Sequence, residues 1–167
     1  MTHHVVVMGV AGCGKSTVGA LLAAEFGARF LDADALHPAA NVAKMAAGQA
    51  LDDTDRAPWL AAVAASFAPG ESLVIACSAL KRAYRDLLRA GAPDLVFVHL
   101  TGTPELLAQR IGARPDHFMP PALLASQLAT LEPLGADEAG FVLDVQNAPG
   151  ELVLQAEARL AHPPMID

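Results

Sequence analysis

Two cysteines, Cys13 and Cys77, are all that the 167 residues hold, and one of them sits inside a glycine-rich loop. So few exclude a disulfide scaffold and fit a reducing compartment, the cytoplasm. Long apolar runs are missing as well. Hydrophobic residues make up 53% of the chain, yet no run reaches membrane-spanning length. The first strand also begins too close to Met1 to leave room for a signal segment. The expectation is a soluble, cytoplasmic protein with no membrane partner. Positive charge is in deficit: Lys and Arg number 11 against 18 Asp and Glu, a formal net charge of −7. That leaves no basic footprint for nucleic acid, while local basic clusters keep small anionic substrates open. Repeats, low-complexity segments and linkers are absent apart from a proline-containing tail at 162–167. Residues 1–167 therefore read as a single domain, in which insertions rather than a second domain must hold a substrate.

What is present is organised around Gly9-Val10-Ala11-Gly12-Cys13-Gly14-Lys15-Ser16, followed by Thr17. The spacing is glycine, four residues, then Gly-Lys-Ser. An apolar run rich in β-branched residues, His4 to Met8, precedes it, and Ser16 to Glu25 follows with helical spacing. Strand, loop and helix in this order form a phosphate loop. Its glycines let backbone N–H groups curl round phosphate, Lys15 reaches the β/γ-phosphates, and the Ser16 hydroxyl suits Mg²⁺. The helix N-terminus adds positive potential. Gly9 to Thr17 are thus expected to bind a nucleoside triphosphate, and Cys13 to react with alkylating reagents more slowly when nucleotide covers it.

Val18, Leu21, Leu22 and Phe26 give the first helix a core-facing stripe. Arg29 to Asp32 is a second strand, and the chain leaves it through Asp32-Ala33-Asp34. Two residues apart on a strand, both carboxylates would share a face at the strand's carboxyl end, where open α/β sheets bind ligands. Phosphoryl transfer needs carboxylates to hold metal and to orient an acceptor hydroxyl, so both are candidates, a solvated loop being the alternative. His37, Asn41 and Lys44 share one helical face, either a wet side or a site wall. Leu51 to Leu60 reads as an acidic loop entering a helix that runs to about Phe67. In it Trp59 is expected in the core, and Arg56 is either an ion-pair partner or an anion binder. Ser72 to Cys77 is a buried third strand ending in Ser78-Ala-Leu-Lys81. Lys81 divides evenly between ligand edge and helix surface. Leu95 to Leu100 and Gly140 to Val145 complete five parallel strands of a doubly wound α/β sheet. Between the last two, Arg110 and Arg114 flank a basic break that would serve as a flap over phosphates, ordinary exposed arginines being the alternative.

With these blocks in view the chain closely resembles the bacterial-type gluconokinases. The residues that carry the resemblance are Gly9 to Ser16, Phe30-Leu-Asp-Ala-Asp-Ala-Leu-His-Pro38, Asn41 with Lys44-Met45, Leu51 through Asp55-Arg56 to Leu60, Cys77 to Lys81, Tyr84 to Arg89, Arg114 with His117-Phe118, and Gly135 to Glu138. The resemblance implies a nucleoside-monophosphate-kinase-like fold with helices on both faces of a five-stranded parallel sheet. It also implies a substrate-binding insertion at about 34–68 and a small lid at about 110–122. The implied reaction takes ATP and D-gluconate to ADP and 6-phosphogluconate with Mg²⁺. Lys15, Asp34 and Arg114 would be catalytic, and Ser16 and Asp32 would serve the metal. Arg110 would reach nucleotide, and Asp34, His37, Arg56, Lys81 and His117 would reach the acceptor. Family members commonly carry glycine where this chain has Ala33. Many are dimers, so a homodimer is among the implied partners. The competing readings are a shikimate kinase, whose third strand ends in a triple-glycine turn instead, and a nucleotide-dependent switch without an acceptor.

Overall fold

The computed structural model describes residues 1–113 and 121–162. His4–Met8 forms strand β1 in the middle of a five-stranded sheet of order β2-β3-β1-β4-β5, with β2 at Arg29–Asp32, β3 at Leu73–Ala76, β4 at Val96–Thr101 and β5 at Gly140–Asp144. Every pairing is parallel. A central strand must be apolar on both faces, and the Val5-Val6-Val7-Met8 run meets that demand. Val5 and Val7 enter one core with Val18 and Leu22 of helix α1 (Lys15–Phe26), Leu107 of α5 (Pro104–Gly112), Leu124 of α6 (Pro121–Thr130) and Leu152 of α7 (Pro149–Ala161). Val6 and Met8 enter the opposite core with Trp59 and Val63 of α3 (Asp53–Ala64) and Tyr84 and Leu88 of α4 (Arg82–Gly91). Helices on both faces of a parallel sheet are the architecture expected from the strand and helix alternation.

Three local expectations change. Leu21 is 44% exposed while Val18, Leu22 and Ala23 are buried, so the core stripe of α1 passes one residue aside of Leu21. Asp34 is not on a strand: residues Ala33–Leu36 form a 3₁₀ turn, followed by α2 at Ala39–Ala46. The acidic loop at 51–55 is already the start of α3. Asp52 caps it by accepting from Asp55 N–H, and the Asp55 side chain accepts in return from Asp52 N–H. Carboxylates in a first turn favour a helix through its N-terminal N–H groups and dipole, although their composition resembles a loop.

Beyond β3 the chain turns through Ala79, a buried residue at φ 46, the left-handed region that alanine enters at a cost of roughly 1–2 kcal/mol. The fully buried Arg85 holds it there. Its Nη1 donates to Ala79 O at 2.9 Å, while Nε and Nη2 grip Glu138 at 2.8 and 3.0 Å. Arg89 and the Gly135 N–H donate to the same carboxylate. Burial by itself would raise the Glu138 carboxyl, but these donors outweigh it and bring it from 4.5 down to about 2. A carboxyl lowered on folding stabilises the fold fully above its ordinary value and loses that contribution as pH falls through the folded one. Wild-type stability in urea is therefore expected to fall from about pH 4.5 toward pH 2, and Glu138→Gln should make that slope shallower. Equal slopes in the two proteins would remove Glu138 from the acid response.

Candidate active site

The phosphate loop leaves β1 at Gly9, whose φ is 145 and where an added Cβ would stand 2.6 Å from Leu100 O and 2.7 Å from Cys13 Sγ. Only glycine fits that backbone approach. Gly9 N–H donates to Ser78 O at 3.3 Å, joining the loop to the end of β3. At the far end Gly14, φ 90, starts α1 and leads straight into Lys15 and Ser16. The Lys15 ammonium donates to Val10 O at 3.2 Å. Ala11, Gly12, Gly14, Lys15, Ser16 and Thr17 line one wall of a cavity of about 860 Å³. Gly9, Val10 and Cys13 of the same loop do not line the cavity, Val10 and Cys13 being turned into the core. Cys13 is fully buried in the core, so the expected nucleotide-dependent labelling gives way to slow alkylation in either state.

Asp32 and Asp34 both reach this cavity, but by different means. Asp32 ends β2 with one hydrogen bond on each carboxylate oxygen: Oδ2 accepts from Ser16 Oγ at 2.6 Å, and Oδ1 accepts from Asp34 N–H at 3.0 Å, capping the 3₁₀ turn. That turn swings Asp34 into the cavity, its side chain 78% exposed and, among the described residues, accepting no hydrogen bond. Ala33 between them is fully buried and outside the left-handed region. Its methyl therefore sits in the core rather than straining the turn. Ser16 and Asp32 present two hard oxygen donors side by side, a set that fits Mg²⁺, which takes one or two carboxylates and completes its shell with water and phosphate. No cluster of three or more His, Cys, Asp or Glu able to hold a metal occurs among the described residues.

The opposite wall comes from α2 and α3. His37 stacks on Trp59, ring centroids 4.1 Å apart, and Trp59 Nε1 donates to Ala33 O at 2.7 Å. Trp59 is thus core, as expected, and also floor of the site. Asn41 Nδ2 donates to Asp55 O and to His37 Nδ1, which leaves the imidazole proton on Nε2, 3.9 Å from Asp34 Oδ1. Burial lowers the His37 pKa despite the attraction of Asp34, so the ring is neutral at pH 7. Lys44 pairs with Asp55 at 2.6 Å. The polar face of α2 is accordingly a docking face against α3, not a wet one.

The three aspartates near Arg56 are all engaged elsewhere. Asp52 and Asp55 cap α3, and Asp53 accepts from the Tyr84 hydroxyl and from Lys81 Nζ. Those two hydrogen bonds, Tyr84 foremost, hold the Asp53 carboxyl below its ordinary value. Arg56 Nη1 donates to Tyr84 OH at 3.0 Å, and no carboxylate among the described residues lies in ion-pair reach of it. It lines the cavity as a guanidinium without a counter-ion among the described residues.

Not every residue anticipated at the site reaches the cavity. Lys81 is 3.1 Å from Asp53, off the lining, and Arg110, also off it, donates from Nη2 to Val145 O just past the carboxyl end of β5. For Lys81 the nearby carboxylate prevails over the ligand edge; for Arg110 a strand-end carbonyl does. Arg114 and His117, with most of the anticipated lid, lie outside the described residues. Several cavity residues, Gln49, Ser126 and Gln127 among them, carried no strong sequence signal. Gln127 accepts at Oε1 from Ala11 N–H at 2.8 Å, and its one trace in the sequence is a polar side chain within the apolar face of Leu123, Leu124, Leu128 and Leu131.

Comparison with known proteins places this geometry among small kinases. A family profile described as shikimate kinase matches residues 11–146. The gluconokinase of Gluconobacter oxydans (strain 621H) is 51% identical over 140 residues, 81% of this chain and 79% of its own. The crystal structure of a gluconokinase from Sinorhizobium meliloti 1021 superposes with a TM-score of 0.89 at 48% identity, covering 95% of this chain and 91% of that one. The shikimate kinase of Aquifex aeolicus vf5 superposes at a TM-score of 0.61 with 14% identity, over 95% and 96% of the two chains, a likeness of fold alone.

Proposed function

Because the chain belongs to the family that the shikimate kinase profile describes and, within it, to the gluconokinases, we propose that it phosphorylates D-gluconate from ATP, giving ADP and 6-phospho-D-gluconate. The observation that carries this reading is Asp34. Its carboxylate enters the same cavity as the phosphate loop with no hydrogen bond of its own among the described residues, where an acceptor hydroxyl would need it.

The roles follow from the contacts. The loop N–H groups and Lys15 bind the triphosphate, and Ser16 with Asp32 would hold Mg²⁺, which when bound neutralises charge on the phosphates. Asp34 orients the acceptor hydroxyl and takes its proton. The neutral His37 offers Nε2–H beside it. Arg56, which has no counter-ion among the described residues, takes the substrate's carboxylate, a planar pairing that a guanidinium makes well. Lys81 then acts on the substrate only through Asp53 and Tyr84, which set Arg56. Arg114 and His117 are assigned to the lid on family grounds, and Arg110 to its base. Among the described residues no helix is long and apolar enough to cross a membrane. Two buried free thiols fit a cytoplasmic setting, and a homodimer is the assembly we assign, to be checked by light scattering.

An ADP-release assay across gluconate, related sugar acids, shikimate and nucleoside monophosphates tests the function. Gluconate is expected to give the highest kcat/KM. Turnover on shikimate without turnover on gluconate would transfer the assignment to the alternative kinase, and release independent of any acceptor would support a nucleotide switch.

A further inference from the structure

One peptide unit of the phosphate loop is held from both edges. The carbonyl of Val10 accepts from Lys15 Nζ at 3.2 Å, and the amide of the same unit, Ala11 N–H, donates to Gln127 Oε1 at 2.8 Å. A trans peptide points its C=O and N–H in opposite directions, so Lys15 and Gln127 flank a single plane. Lys15 is the group that meets the β/γ-phosphates, and Gln127 holds the opposite edge of the peptide that Lys15 engages while lining the same cavity. The orientation of its carboxamide is set by chemistry. A backbone N–H only donates, so Oε1 must face Ala11 and the –NH₂ is turned elsewhere. Among the described residues Nε2 donates to no protein atom, and Gln127 lines the cavity. Helix α6 is itself fixed: Leu124 is in the core, and just past the helix Glu132 N–H donates to Leu80 O at 2.7 Å.

We propose that Gln127 is a positioning residue for phosphoryl transfer, its Nε2 donating to an oxygen of the terminal phosphate of ATP while Oε1 stays on Ala11. The inference rests on the phosphoryl-transfer reading but not on the identity of the acceptor. Gln127 then makes α6 responsive to whether the nucleotide carries a third phosphate. ADP lacks the group that Nε2 meets.

Two substitutions separate this from a simple strut between α6 and the loop. Gln127→Glu keeps an acceptor for Ala11 N–H and loses the donor; Gln127→Met has similar length, adds no charge and loses both. The affinities of ADP and of a non-hydrolysable ATP analogue are measured without any acceptor, alongside thermal midpoints and kcat. Both variants are expected to bind the ATP analogue on the order of ten-fold more weakly while binding ADP as the wild type does, because a hydrogen bond to a charged group is lost only with the triphosphate. Turnover should fall at least as far, with the KM for gluconate unchanged. An ATP-to-ADP affinity ratio at the wild-type value in Gln127→Met, or equal losses for both nucleotides, overturns the proposal. Should wild-type protein release ADP with none of the acceptors, the acceptor assignment fails while the affinity ratio still decides the role of Gln127.

Discussion

Lys15→Ala is expected to lower turnover by ~10²–10³ in a protein that folds normally, the loss of one preorganised charge contact of about 2.7–4 kcal/mol. The case for intact folding lies in how little the ammonium does within the protein. Its one hydrogen bond is to Val10 O, and it forms no ion pair with a carboxylate among the described residues. The loop is held by other means, the Gly9 N–H on Ser78 O and Cys13 buried in the core. Removing the side chain therefore leaves the cradle and takes away the charge that meets the phosphates. Comparison of kcat and thermal midpoint checks this. Near-normal turnover in a folded variant would sink the phosphate-loop assignment.

Asp34→Asn and Asp32→Asn should fail in different ways. Asparagine keeps the shape of aspartate and accepts a hydrogen bond but takes up no proton at neutral pH. Among the described residues the Asp34 carboxylate accepts no hydrogen bond that its replacement could break, so Asp34→Asn should bind gluconate and transfer phosphate at least ~10²-fold more slowly, with no recovery as Mg²⁺ is raised. Asp32 is engaged by Ser16 Oγ on one oxygen and by the Asp34 N–H on the other. Its asparagine variant should need more Mg²⁺ and regain part of its rate when metal is added, because mass action refills a weakened shell. Initial rates against gluconate and against Mg²⁺ separate the two. Metal rescue of Asp34→Asn alone would exchange the roles, and wild-type rates in both would remove the pair from the site.

The parts of this molecule legible in its sequence are those where the backbone dictates residue type. Gly9 and Gly14 mark positive φ, the valines of β1 mark a strand buried on both faces, and Gly-Lys-Ser marks the turn into α1. Side-chain partnerships were far less legible. Arg56 stood among three aspartates and pairs with none of them, because capping, Lys44, Lys81 and Tyr84 had already taken all three. Lys81 divided evenly between ligand edge and helix surface, and it answers to Asp53, 28 positions earlier in the chain. Asp34 reached the expected place for a different reason, a 3₁₀ turn capped by Asp32 instead of strand alternation. Gln127 was hidden because its partner is a backbone N–H 116 positions away, and no pattern of side chains reports a main-chain partner.

The position of β1 between β3 and β4 bears on how the chain reaches its native state. The Val-Val-Val-Met segment is made first but gains its neighbours only when Leu73–Ala76 and then Val96–Thr101 exist. Until then a flat, uncharged, β-prone ribbon waits without partners, the kind of segment that pairs with other nascent chains. Loop closures of roughly 70 and 90 residues must precede its enclosure, so the sheet should assemble slowly and late. Nucleotide can do little for the early stages, since the phosphate loop acquires Ser78, Asp34 and Gln127 from three separate stretches of chain. ATP would stabilise only the finished product, whereas holding chaperones would matter during synthesis. Expression at lower temperature should therefore raise soluble yield more than nucleotide in the refolding buffer does.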